Sequence, residues 1–468
     1  KGDIINNANS TQTIGMNLAL LSTSTGIINA VNGNMSAQTS SSNITISGNI
    51  SGAGGIIKQG NGSLTLSGAN TYNGTTTISS GTLYITSNTA LGSTAAGTTI
   101  NGGKLVLNSA GLSTSENITI DSTTNNGDIG LFANATIGGL ITLRNSGADI
   151  RNLSGSNTLT ITGGVTSALN RSLTFVTSAI INTTPITIGS GTLSFLGGSN
   201  QINVAGNTFG AMFLGWGGTL TLGVSNALPS TINVTFGGNN LTNSAFTLSL
   251  NGTNQTISGL AQSGYTVFDG QNQNVTGGGV LTINQTSNAT QSYAGRITDG
   301  TTATSLTKNG SGTLMLQNWS GINSSYSGAT TINAGTLMIL AGNGTSLSAN
   351  SSYTVASGAV LTLGGNSTVA GPSTAIIGSL AGAGTVQNGN ATTAITLTAG
   401  GDNTNTTFSG VLQNGGAAAL ALTKNGTGTF TLSGNNTYTG NTTINAGTLT
   451  LSGNNTYTGA TTINAGTL

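Results

Sequence analysis

The residues able to do chemistry are few, and most of them fall in one stretch. Lys104, Glu116, Asp121, Asp128, Arg144, Asp149, Arg151 and Arg171 form the one concentration of charge in a chain of 468 residues that carries nine Lys and Arg and eight Asp and Glu. Asp128 to Asp149 is 21 residues and Arg151 to Arg171 is 20. Two carboxylates held a few ångströms apart can work as acid and base on a glycosidic bond. Like charges stacked at strand spacing repel, however, so side chains on neighbouring rungs are expected to pair Asp with Arg across the surface. Asp128, Arg144, Asp149 and Arg151 are the candidate surface site.

Elsewhere the inventory excludes more than it offers. Cys and His are absent, which removes thiol and imidazole nucleophiles and nearly every zinc or copper site. No cofactor or metal site is expected. Charged residues are 4% of the chain and the net charge is +1, so no basic footprint exists to bind nucleic acid. So little like-charge repulsion between molecules favours self-association, head-to-tail or lateral. No apolar run reaches the roughly 20 residues of a membrane helix. The chain starts at Lys1 without a charged, apolar leader, and is read as a processed piece of a longer, exported product.

Lys58, Lys308 and Lys424 each stand just before a Gly-rich turn. They lie too far apart for one anion or glycan site and are read as part of a repeat. Trp216 and Trp319 have the chemistry to stack on sugars. Trp216 is expected in the core and Trp319 over its own loop. Asn-x-Ser/Thr triplets, as at Asn43, Asn61, Asn117 and Asn441, follow from composition. Thr pairs such as Thr442 and Thr443, stacked over coils, would form a flat Thr array.

What positions these residues is a repeat. Residues 432–450 read LSGNNTYTGNTTINAGTLT and residues 451–468 read LSGNNTYTGATTINAGTL. Leu432 recurs as Leu451, Asn435 as Asn454, Tyr438 as Tyr457, Gly440 as Gly459 and Ile444 as Ile463. A fixed period of this length marks a solenoid, whose coils bury their apolar face only by stacking. Apolar residues alternate with Thr at strand period, while Gly and Asn occupy corners where positive φ is tolerated. Clear copies occupy 47–93, 306–339 and 422–468, with degenerate coils between them. In the third-copy segment four extra residues fall in a turn. Residues 1–46 are assigned to N-terminal coils or a cap, and 47–468 to one continuous solenoid.

The string G-x-G-x-L-x-L-S-G-x-N-x-Y-x-G-x-T-x-I-x-x-G-x-L, at 60–83 and 426–449 and more loosely at 310–337, resembles the passenger-associated repeat of bacterial autotransporters. The period predicts an all-β rod of roughly 20 coils paired as parallel strands, and the resemblance implies that this parallel β-helix is right-handed and exported to the cell surface. The expected function is an extracellular structural β-solenoid: a surface stalk, an adhesin scaffold or a filament subunit joined through strand edges, with a host or surface glycan as a possible ligand. The alternative is a carbohydrate-active β-helix enzyme. Polysaccharide lyases of that shape use Asp-bound calcium with an Arg or Lys base, which would place a site in 104–171.

Overall fold

The computed structural model describes residues 4–6, 10–20, 26–30, 43–122, 129–145, 147–237, 245–263, 273–318, 324–341, 347–364 and 373–468. They contain short β-strands and no helix, and no helix is long and apolar enough to cross a membrane. Every pairing between the strands named below is parallel. Two units are compact, Lys1–Phe213 and Leu214–Leu468.

In the first unit three ladders rise side by side. One runs from Ile4–Asn6 to Ile186–Thr187, a second from Gln12–Ile14 to Thr192–Leu196, and a third from Leu112–Thr114 to Ser199–Ile202. Each strand pairs with the equivalent strand one coil on. Thr76–Ile78, Thr98–Ile100 and Ile118–Ile120, for example, stack with Ile78, Ile100 and Ile120 in register. The reason lies in the pattern Thr-Thr-Ile or Ile-Thr-Ile, where alternation turns the outer two residues inward and the middle Thr outward. β-Branched residues suit such a half-buried pleat.

The second unit repeats the scheme. A nine-stranded ladder runs from Gln255–Ile257 to Thr448–Leu451, a six-stranded one from Thr290–Tyr293 to Val411–Asn414, and a five-stranded one from Thr374–Ile376 to Thr461–Ile463. In each unit like residues stack into apolar columns inside the coil. Leu64, Leu83, Leu105, Ile129 and Ile150 form one such column, continued by Phe175 and Phe195. Those two rings stack at 5.3 Å with 12° between planes. Each fully buried side chain of this size contributes about 1.5–3 kcal/mol by leaving water.

Among the described residues the strands wind about 16 turns, fewer than the roughly 20 expected. The corners vary in length from coil to coil. One coil takes 19 residues from Phe430 to Leu449, whereas another takes 26 from Val386 to Leu412. The all-β parallel solenoid itself stands.

Candidate functional site

Among the described residues, chemistry-bearing side chains sit inside the coils and on the outside, the latter in the charged stretch of the first unit and, singly, at Trp216, Arg296, Asp299 and Asp402 of the second. Inside, the three repeat lysines have the same geometry. Lys58, Lys308 and Lys424 stand two residues after Ile56, Leu306 and Leu422, so strand alternation turns them inward, and all three are buried. The Lys58 ammonium donates to the carbonyls of Gln59 (2.9 Å), Gly60 (2.8 Å) and Ser80 (3.1 Å). Lys308 does the same with Asn309, Gly310 and Ala334, and Lys424 with Asn425, Gly426 and Ala446. Three donors meet three acceptors, two in the lysine's own corner and one in the corner a coil further on. The glycines there are required: Gly60 and Gly81 have φ of +74° and +67°, and a Cβ on Gly81 would lie 2.6 Å from the Lys58 ammonium. Burial pushes Lys58 and Lys308 down to about 8 from 10.5. For Lys424 burial lowers the value and the nearby Asp402 carboxylate opposes it.

The repeat tyrosines complete this clamp. Tyr72, Tyr326 and Tyr438 are buried, and their hydroxyls share hydrogen bonds with Thr76 (2.5 Å), Thr330 (2.7 Å) and Thr442 (2.6 Å). Burial pushes the Tyr438 phenol up to about 12. In the tail, Leu432 pairs with Leu451 and Ile444 with Ile463. Tyr438 stacks on Tyr457 with centroids 5.1 Å apart and planes 5° from parallel. Asn435 Oδ1 accepts the Asn454 N–H at 2.9 Å. Gly440 lies so close to the preceding coil that a Cβ would be 2.5 Å from the Leu420 carbonyl, and Gly459 abuts the Gly440 carbonyl.

Asparagine has a recurring task at the corners, where backbone ladders break. Asn43, Asn117 and Asn441 each accept a backbone N–H one coil on, from Ser63, Leu140 and Ala460. Asn436 is buried between Leu412 and Asn455 and bonds to both. The Asn-x-Ser/Thr triplets at these three positions are therefore corner fasteners, a reading the triplet pattern did not reveal.

Outside, the charged stretch is only partly brought together. Asp149 and Arg151 point outward from strand Ala148–Asn152, and the guanidinium meets the carboxylate at 2.6 Å. Asp128 lies outside the described residues. Arg151 does not stack on Arg171. Its partner one coil on is Val176, because this coil takes 25 residues and Arg171 falls in the corner before the strand. The Arg171 side chain instead donates to the Arg144 carbonyl at 3.2 Å. Glu116 is absent from the surface altogether. It is buried, accepts from Thr98 at 3.3 Å, and its Oε2 has no partner among the described residues. Burial raises its carboxyl from 4.5 to about 7, and the Thr98 bond opposes the shift. Its place two residues before Ile118 was the sequence signal for an inward side chain.

Two further expectations are corrected. Trp216 is 49% exposed, not core. It occupies the corner before strand Gly218–Leu222 with φ of +62°, followed by Gly217 and Gly218 also at positive φ, so the chain reverses there and throws the indole outward. Trp319 lies outside the described residues. Thr442 and Thr443 do not form one flat array, because Thr442 points inward to Tyr438 while Thr443 stacks between Thr423 and Thr462. Single-file Thr ranks do occur: Thr77, Thr99, Thr119, Thr142, Thr166 and Thr187 are in register along one face. Among the described residues no group of three or more Asp and Glu is placed to hold a metal ion.

Stacked parallel coils fastened by inward Lys, Tyr and Thr define a repeat-built β-solenoid. Residues 56–85, 306–339, 422–450 and 446–468 match the family model described as Passenger-associated-transport-repeat. The chain carries this repeat of autotransporter passenger domains at all four places. No curated protein and no solved structure matches the chain.

Proposed function

We propose that the chain is an extracellular β-solenoid scaffold, a surface stalk or adhesin body with a right-handed winding and coils continuous over 47–468. The observation that carries this reading is the internal clamp. In the repeat copies the side chains with most chemical potential are consumed inside the coils: Lys58, Lys308 and Lys424 tie one coil to the next, and Tyr72, Tyr326 and Tyr438 are buried with their hydroxyls on Thr76, Thr330 and Thr442 of their own coil. Among the described residues the outer faces are left mostly to Thr, Ser and Asn, which suits a mechanical role. The passenger repeat supports export to the cell surface.

Self-association through strand edges or lateral faces belongs to the same proposal, because a net charge of +1 leaves little repulsion between copies. Negative-stain microscopy of the full chain tests the scaffold directly. Elongated particles are expected, and compact globules would overturn it. Sedimentation at low and high salt tests association, which is expected to persist with little salt dependence.

A further inference from the structure

Glu116 is the chain's single glutamate, and it lies inside the first unit at 2% exposure. It stands in a three-residue corner between strands Leu112–Thr114 and Ile118–Ile120, with Ser115 and Asn117 exposed on either side of it. Strand alternation carried back two residues from Ile118 turns it inward, where the carboxyl meets a column of hydroxyls. Thr98 donates to its Oε1 at 3.3 Å, Thr98 lies in register with Thr76, and Thr76 shares a 2.5 Å hydrogen bond with the Tyr72 hydroxyl. Oε2 has no partner among the described residues. The corner is fastened to both neighbouring coils. The Thr98 N–H donates to the Asn117 carbonyl at 2.8 Å and the Leu140 N–H to Asn117 Oδ1 at 2.9 Å, while Gly139 packs so closely on the Glu116 carbonyl that no Cβ fits there.

No cation faces this carboxyl among the described residues. The inward side chains of the strands packed round it, Thr76–Ile78, Thr98–Ile100, Leu112–Thr114, Ile118–Ile120 and Ile141–Leu143, are Thr, Ile and Leu. Asp121 and Arg144 follow two of these strands on the outward side of the alternation. Lys58 lies three rungs away, about 14 Å at strand spacing, with its ammonium shared among three carbonyls. Tyr72 is the titratable group that feels Glu116: burial raises its phenol, and the carboxylate adds to the rise. The second unit fills the same place without charge. Ser351 stands two residues before Tyr353, which pairs with Thr330 as Ile118 pairs with Thr98. Its hydroxyl lies 2.9 Å from Thr330 Oγ1 and donates to the Gly328 carbonyl at 2.6 Å. A hydroxyl closes that column at every ordinary pH, whereas Glu116 is neutral only while it holds a proton.

We propose that Glu116 is a proton latch on the corner 115–117: protonated, its carboxyl stays packed on Thr98 and the corner is closed, and ionised, it drives the corner open toward water. A buried carboxylate with one hydroxyl donor and no cation is costly, and swinging out a three-residue corner relieves it at less cost than unfolding the coils on either side. The direction follows from where the proton is held. Burial raises the carboxyl from 4.5 to about 7 in the closed corner, with the Thr98 bond opposing the rise. Opening returns the group to its ordinary value and so releases a proton between those two values. The corner is therefore closed in acid and loosened as pH rises to neutral. Opening takes the Asn117 partners from the Thr98 and Leu140 N–H groups, so the coils before and after both register it.

Two measurements on the full chain test the latch. Glutamate isotope-labelled at its side-chain carboxyl gives a single NMR signal, because Glu116 is the only one, and that signal is expected to be that of a neutral carboxyl at pH 6. Amide hydrogen exchange read by mass spectrometry, with parent and Glu116→Gln compared at each pH so that intrinsic exchange cancels, reports the opening. From pH 5 to pH 8 the parent should lose protection roughly fifty- to a hundredfold relative to the variant in peptides covering Thr98, 112–120 and Leu140. Peptides across 347–355, where Ser351 stands, should show no such loss, and they serve as an internal reference should Glu116→Gln not fold. Thr98→Val removes the one donor to the ionised form and is expected to carry the loss to higher pH. A Glu116 signal that ionises near the ordinary carboxylate value, protection that follows pH equally in parent and Glu116→Gln, or a loss spread evenly over both units would overturn the proposal.

Discussion

At the scale of single residues, the interior polar groups carry the sharpest consequences. Replacing Lys58 with Met keeps the apolar stem but leaves the carbonyls of Gln59, Gly60 and Ser80 without their shared donor. A loss of about 1–3 kcal/mol is expected, read by urea unfolding, with faster amide exchange in the two corners it joins. Tyr438→Phe removes only the bond to Thr442 and should cost about 1 kcal/mol. Glu116 gives a pH signature of its own. Its carboxyl is raised from 4.5 to about 7, so between those values the folded chain holds a proton that the unfolded chain has released. The stabilising contribution is full below about pH 4.5 and is lost as pH rises through about 7. Glu116→Gln should therefore flatten the pH dependence and stabilise the chain most at pH 8, measured as the difference in melting temperature between variant and parent across pH 5–8.

At the scale of the element, each strand is only two to six residues long in the ladders, so its stability comes from the strands above and below. Corners decide how closely those neighbours approach. Gly440 sits where any Cβ would press on the Leu420 carbonyl. Gly440→Ala is expected to cost about 1–3 kcal/mol through forced separation of two corners, visible as a lower denaturation midpoint. The fasteners at the corners behave alike: Asn436 ties Leu412 to Asn455 across its own coil, so an Ala there takes the side-chain partner from the Leu412 N–H and the Gly434 carbonyl at once.

For the whole molecule, stability of stacked coils is close to a sum of coil and neighbour terms, so damage stays near its origin. Gly440→Arg should open new protease sites within 395–468 while 43–122 stays resistant, a pattern that peptide mass mapping after limited proteolysis would show. Loss of protection along the entire chain would mean cooperativity far beyond nearest neighbours.

The sequence by itself determined the coil: the 19-residue identity set Leu432 on Leu451 and Ile444 on Ile463, and alternation with Thr set which residues face in. That parity also held the inward position of Lys58 and Glu116, visible two residues from an apolar neighbour but overridden by the habit of placing charge outside. Only the tertiary structure decided what depends on corner length. Whether Arg151 meets Arg171 or Val176 and whether Trp216 turns in or out are set by how each corner closes on the coil beneath. The physical reason is that period-two alternation specifies a side within a strand, while register between strands is chosen by stacking, and a few residues more or less in a corner move every partner along the rung.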